Sequence, residues 1–97
     1  MNLSEPQKKY LRGLGHQLKP VITVADSGLS ESVLREFDST LSHHELIKVR
    51  FRVANRASRD AMIDDLCRQG SGNLIQRIGN VALIYRPNPD ERRIRLP

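Results

Sequence analysis

Aromatic side chains are scarce in this chain: two Tyr, two Phe and no Trp among 97 residues, 4% in all. The core must therefore be mostly aliphatic. Cysteine is scarcer still, because Cys67 stands alone with no CxxC pair and no Cys/His partner at zinc spacing. An internal disulfide and a structural metal site are both excluded, and a buried core thiol is the expected role. No apolar run approaches the 18 or more residues that cross a bilayer, and the opening MNLSEPQKKY lacks the apolar stretch of a secretory signal. The expected compartment is the cytoplasm. The sequence contains no GxxxxGKS, GxSxG or HExxH motif, no internal repeat and no low-complexity linker.

What remains is a short chain with 38% hydrophobic and 28% charged residues, the balance of a folded globular protein. At this length one core is expected, so residues 1–97 read as a single domain. Its ordered body is expected at about 3–87, with 88–97 as a tail.

Sixteen Lys and Arg against eleven Asp and Glu give a net charge of +5, unevenly spread along the chain. Residues 1–20 carry Lys8, Lys9, Arg12 and Lys19 against Glu5. Residues 21–45 reverse the sign, with Asp26, Glu31, Glu36, Asp38 and Glu45 against Arg35. Residues 46–59 then hold Lys48, Arg50, Arg52, Arg56 and Arg59 with no acid. Twelve of the sixteen bases are Arg, whose planar fork suits phosphate better than an ammonium does. A polyanion is the natural partner for such a surface.

Ser4 with Gln7 three residues on and Pro6 between them marks a helix start, and Tyr10, Leu11 and Leu14 continue it until Gly13 and Gly15. Val21 to Val24 is a short β-branched strand. Ser30 caps a second helix with Val33, Leu34, Phe37 and Leu41 on one face. From Leu46 the period becomes two: Ile47, Val49, Phe51 and Val53 point one way, and Lys48, Arg50 and Arg52 the other. A third helix is expected from about Ser58, followed by strands Leu74–Ile78 and Val81–Tyr85 joined at Gly79-Asn80. In the tail, Ile94 and Leu96 alternate with Arg93 and Arg95, a pattern suited to lying against the body. The order α-β-α-β-α-β-β, with right-handed crossovers, predicts an α+β domain. Its four-stranded mixed sheet has three parallel strands, helices mainly on one face and a partly polar opposite face.

Three constellations carry chemistry. Lys48, Arg50 and Arg52 stand in a row about 6.6 Å apart, of the order of successive phosphates along a nucleic-acid strand. Ala25-Asp26-Ser27-Gly28 leads from a strand to a helix N-terminus, where free amide groups favour an anion. His43-His44-Glu45 has neither helix nor strand geometry to converge on one ion, so a role at the helix C-terminus is expected in place of catalysis.

LRGLGHQLKPV from Leu11, GLSE from Gly28, HHELIKVR from His43, Ile78-Gly79 and LIYRP from Leu83 together resemble the YhbY-type CRM domain, named for chloroplast RNA splicing and ribosome maturation. The resemblance spans nearly the whole chain. It implies a fold like the C-terminal domain of translation initiation factor three. It also implies RNA binding: stand-alone bacterial members are associated with precursors of the large ribosomal subunit, and plant members with group II intron splicing. The family's RNA-binding GxxG loop corresponds to Ala25, Asp26, Ser27 and Gly28, in which Gly28 matches and Ala25 does not. Alanine takes positive φ less cheaply than glycine and its methyl limits close backbone approach.

The expected function is thus non-enzymatic RNA binding, with ribosomal RNA or pre-large-subunit particles as partner and no cofactor, metal, small-molecule substrate or membrane. A monomer is expected. The expected contacts are the loop 25–28 and the basic residues Lys8, Lys9, Arg12, Lys19, Lys48, Arg50, Arg52 and Arg86. The alternative is a factor docking on ribosomal proteins or another acidic partner, with its basic face used for steering.

Overall fold

A computed structural model describes all 97 residues. Its elements are α1 (Glu5–Gly15), β1 (Pro20–Ala25), α2 (Glu31–His44), β2 (Leu46–Arg52), α3 (Arg56–Gln69), β3 (Asn73–Ile78) and β4 (Val81–Tyr85). The caps of α1 and α2 are the predicted ones. The Ser4 hydroxyl accepts from Gln7 N–H while the Gln7 side chain accepts from Ser4 N–H, and the Ser30 hydroxyl accepts from Val33 N–H. Helix α3 starts two residues before the expected Ser58, because the Asn55 carboxamide caps it by accepting from Ser58 N–H at 3.0 Å.

The sheet has the order β1-β2-β4-β3, with β1 and β2 parallel and β4 antiparallel to both its neighbours. β1, β2 and β3 therefore run the same way, as the crossovers require. The antiparallel fourth strand, β4, inserts between β2 and β3. Val81-Ala82-Leu83-Ile84-Tyr85 is apolar on both faces, and a central position is where both faces are covered. Gly79 alone in the hairpin takes positive φ (+58°), as at the first central position of a type II′ turn.

Two apolar clusters flank the sheet. Ile22, Val24, Ile47, Val49, Phe51, Ala82 and Ile84 face α2 and α3, whose Phe37, Leu41, Ile63, Leu66 and Cys67 complete the larger one. Burial, and after it the Asp64 carboxylate, push the Cys67 thiol up to about 11, which leaves it a core side chain without thiolate chemistry. On the opposite face Leu46, Ile75, Leu83 and Tyr85 pack against Leu11 of α1 and the tail residues Ile94 and Leu96. The expected crowding of helices on one face holds for α2 and α3, while α1 sits on the other. It can do so because of Gly15: a Cβ there would stand 2.5 Å from Leu83 Cδ2. The α1 layer covers the Leu46 end of that face and leaves the rest open.

Candidate nucleic-acid interface

In this topology the carboxyl ends of β1, β2 and β3 lie along one edge, with three connections emerging there. The first leads into α2, the second into α3, and the third is the Gly79-Asn80 turn, whose Asn80 carbonyl accepts from Phe51 N–H at 2.7 Å. Two helix N-termini thus point their free amides toward the same edge. Cations lie at the same end, although Arg50 and Arg52 project from the face of the sheet opposite α2 and α3. Ala25 pairs with Arg52 and Thr23 with Arg50, so the loop 25–28 and the arginine row, distant in sequence, are neighbours across the β1–β2 ladder. Arg56 opens α3 immediately beyond. Arg50, Arg52 and Arg56 are exposed and make neither an ion pair nor a hydrogen bond within the protein.

The loop is a tight turn closed by Gly28 N–H to the Ala25 carbonyl at 2.9 Å. Gly28 has φ +88°, a conformation that explains its glycine. Ala25 has no positive φ, because it is the last residue of β1 and lies in extended ladder geometry. The first position of the loop therefore needs no glycine for its backbone. Asp26 and Ser27 are exposed at the tip.

The remaining sequence-derived residues are not gathered at this edge. Lys48, half buried, donates from Nζ to the Leu18 carbonyl at 3.0 Å and so ties the row to the segment carrying Lys19, which precedes the amino end of β1. Lys8 lies 3.8 Å from Glu5 and lines a hollow with Asn73 and Leu74 at the β3 edge, opposite β1. Lys9 is on the outer face of α1 with Tyr10 and Pro97, and Arg12 is half buried.

Arg86 departs most from expectation. Its guanidinium donates to Asp38 Oδ1 (2.9 Å), the Asp38 carbonyl (3.0 Å), the Gly70 carbonyl (2.7 Å) and Ser42 Oγ (2.6 Å). It is a structural tie between α2, the end of α3 and the strand β4, with its donors directed inward. Arg86→Met is expected to destabilise the fold by about 2–3 kcal/mol through the acceptors it orphans. For a domain of this size that is a fall in Tm of roughly 10–20 °C. Thermal unfolding measures it, and RNA affinity well below Tm should be unchanged.

Sequence reasoning missed Glu45. His43 and His44 are exposed in the last turn of α2, as a helix-end role requires, but Glu45 is fully buried with φ +65°. Only this residue joins α2 to β2, so it must turn the chain. Its Oε2 accepts from Asn88 N–H (2.6 Å), and its Oε1 from Arg93 and Ile94 N–H (both 2.7 Å). Burial raises the Glu45 carboxyl, but these three donors and the nearby Arg92 outweigh it and hold the group below the usual carboxylate range. The tail is thereby pinned over Tyr85 and Leu11.

No helix is long and apolar enough to cross a membrane. The carboxyl end of the sheet, with its unpaired arginines and two helix N-termini, has a surface suited to an anion. The chain belongs to the CRS1/YhbY (CRM) domain family, whose model matches residues 3–86. It is 49% identical over 89 residues to "Probable RNA-binding protein PA4753" of Pseudomonas aeruginosa, covering 92% of this chain and 86% of that one. To the Haemophilus influenzae protein named "RNA-binding protein" it is 41% identical over 95 residues, 98% of this chain and 95% of the other. The solution structure of the hypothetical protein SAV1595 from Staphylococcus aureus matches with a TM-score of 0.83 at 32% identity, over 99% of this chain and 100% of that one. Family and fold both agree with the reading made from the sequence motifs.

Proposed function

We propose that this protein is a non-enzymatic, monomeric RNA-binding module of the cytoplasm that binds ribosomal RNA in precursors of the large ribosomal subunit and assists their assembly. The observation that carries the binding mode is the meeting of Arg50, Arg52 and Arg56 with the loop 25–28 at one sheet edge, with no internal acid paired to any of them. Phosphates are the ligands such an edge suits: exposed forks supply bidentate contacts, and the helix N-termini add backbone donors. Few rings are available to stack bases, since Phe37, Phe51 and Tyr85 are fully buried. Affinity then comes chiefly from counterion release, each phosphate contact adding roughly −0.7 to −0.9 to the slope of log K against log salt. The family membership and the names of its relatives support RNA as the polyanion.

Crosslinking in cells followed by sequencing of attached RNA, with a gradient profile of ribosomal particles, tests the assignment. Enrichment of large-subunit ribosomal RNA and co-migration with its precursors is the expected result. Association with messenger RNA alone would overturn the assembly role. Capture of ribosomal proteins with no crosslink to RNA would favour the docking alternative.

A further inference from the structure

Beside the arginine row, on the face that α1 leaves open, lies a shallow groove of about 190 Å³ lined by Pro20, Lys48, Arg50, Gln76, Ile78, Val81 and Leu83. Its volume is below the roughly 300–1,000 Å³ of pockets for drug-sized ligands, so it suits one planar ring system. The floor is apolar and open at its Val81–Ile78 end, where Ile78 is 62% exposed, unusual for an isoleucine in a strand, while Leu83 is buried beneath Gly15 of α1. Ladder pairing orders the walls. Arg50 pairs with Val81 and Val81 with Ile78, while Lys48 pairs with Leu83 and Leu83 with Gln76. Each row thus runs from a cation on β2, across an aliphatic side chain on β4, to β3, a span of about 9–10 Å at ordinary strand spacing. One of the two rows ends on the Gln76 carboxamide, which makes no hydrogen bond within the protein and presents a donor and an acceptor together.

Taken across the two rows, the Arg50 cation, the open Val81–Ile78 floor and the neighbouring Gln76 amide match the parts of one nucleotide: phosphate, ring face and hydrogen-bonding base edge. We infer that this groove is a base-recognition subsite, taking a single unstacked nucleobase of an RNA strand whose phosphates lie on Lys48 and Arg50. Adenine is the best match, because a carboxamide pairs bidentately with its N6 and N7. The inference rests on the RNA-binding reading and adds to it a source of sequence preference that phosphate contacts lack.

Three probes on the full-length protein test it: oligouridylate, the same strand with one central adenosine, and a base-free ribose-phosphate polymer of equal length. The adenosine strand is expected to bind best, by roughly 5- to 10-fold over oligouridylate, the low end of what a bidentate carboxamide–base pair gives. The base-free polymer should bind worst. Gln76→Ala should erase the adenosine advantage and leave the salt slope intact. In the wild type, adenosine-strand binding should move the NMR amide signals of Gln76, Ile78 and Val81. Equal affinity for the base-free polymer, or unmoved Gln76, Ile78 and Val81 signals while that of Arg52 shifts, would overturn the subsite and keep the RNA reading. Absence of binding to all three probes would remove both.

Discussion

Glu45→Ala is expected to cost about 3–5 kcal/mol of folding stability, the largest loss from any single side chain outside the apolar clusters. The substitution removes an acceptor set that serves three backbone N–H groups of the tail, and each buried donor left without a partner costs roughly 1–3 kcal/mol. The chain has two ways to respond. Either the tail stays and carries the orphaned donors, or it peels away to hydrate them and uncovers Leu11, Leu46 and Tyr85. Trypsin distinguishes these outcomes, because Arg92, Arg93 and Arg95 are in the tail and a peeled tail is cut early. Glu45→Gln should be milder, since its carbonyl oxygen still serves Arg93 and Ile94 N–H while its amide opposes the Asn88 donor. Thermal unfolding of the two variants should give the order wild type, Gln, Ala. Equal Tm for wild type and Ala would show that the three hydrogen bonds contribute nothing.

The same carboxylate sets a pH dependence. Its folded-state pKa is depressed below the ordinary value of 4.5. The unfolded chain therefore binds this proton more readily, and the stabilisation is fully present above the unfolded pKa. It is lost as pH falls through the folded pKa. Acid unfolding of the wild type should be steeper than that of Glu45→Gln, which cannot titrate at this position.

Glu45 also shows where reading the sequence reaches its limit. Period-two alternation placed Lys48, Arg50 and Arg52 on one face because side-chain direction in a strand is a local property. Helix caps at Ser4 and Ser30 were legible for the same reason. The partners of Glu45 lie more than forty residues away in the tail, whose alternation suggests contact with the body but not with which residue, and only the folded chain brings them together. The inward ties of Arg86 escape the sequence for a related reason: a cation in a basic region reads as surface until Asp38, Ser42 and Gly70 are seen around it. The position of β4 is an intermediate case. The sequence marks β4 as a strand, but its place between β2 and β3 depends on which edge the hairpin joins. At the candidate site, charge counting marks residues 46–59 as basic, but Arg56 is not among the expected contacts. The missing element was the ladder that sets Arg52 beside Ala25.

Replacing Arg50, Arg52 and Arg56 together by Gln is expected to lower RNA affinity roughly 10- to 100-fold at moderate salt, and to reduce the magnitude of the log–log salt slope by about 2 to 3. Lys48 is left in place because its Nζ holds the Leu18 carbonyl, so its loss would disturb the connection between α1 and β1 as well as binding. The three arginines have no such internal role, being exposed and without partners. Two of them stand on one strand face at about 6.6 Å, close enough for mutual repulsion. Their removal should therefore leave Tm unchanged or slightly raised. That combination, weaker and less salt-sensitive binding with undiminished stability, separates a ligand-directed row from a solvated face. A solvated face would lose neither affinity nor slope, and a structural row would lose Tm. Titration of labelled RNA across a salt series, with thermal unfolding of the same preparations, reads all three quantities. An unchanged slope would move the phosphate contacts off this edge and onto the cations of α1, where Lys9 and Arg12 remain unpaired.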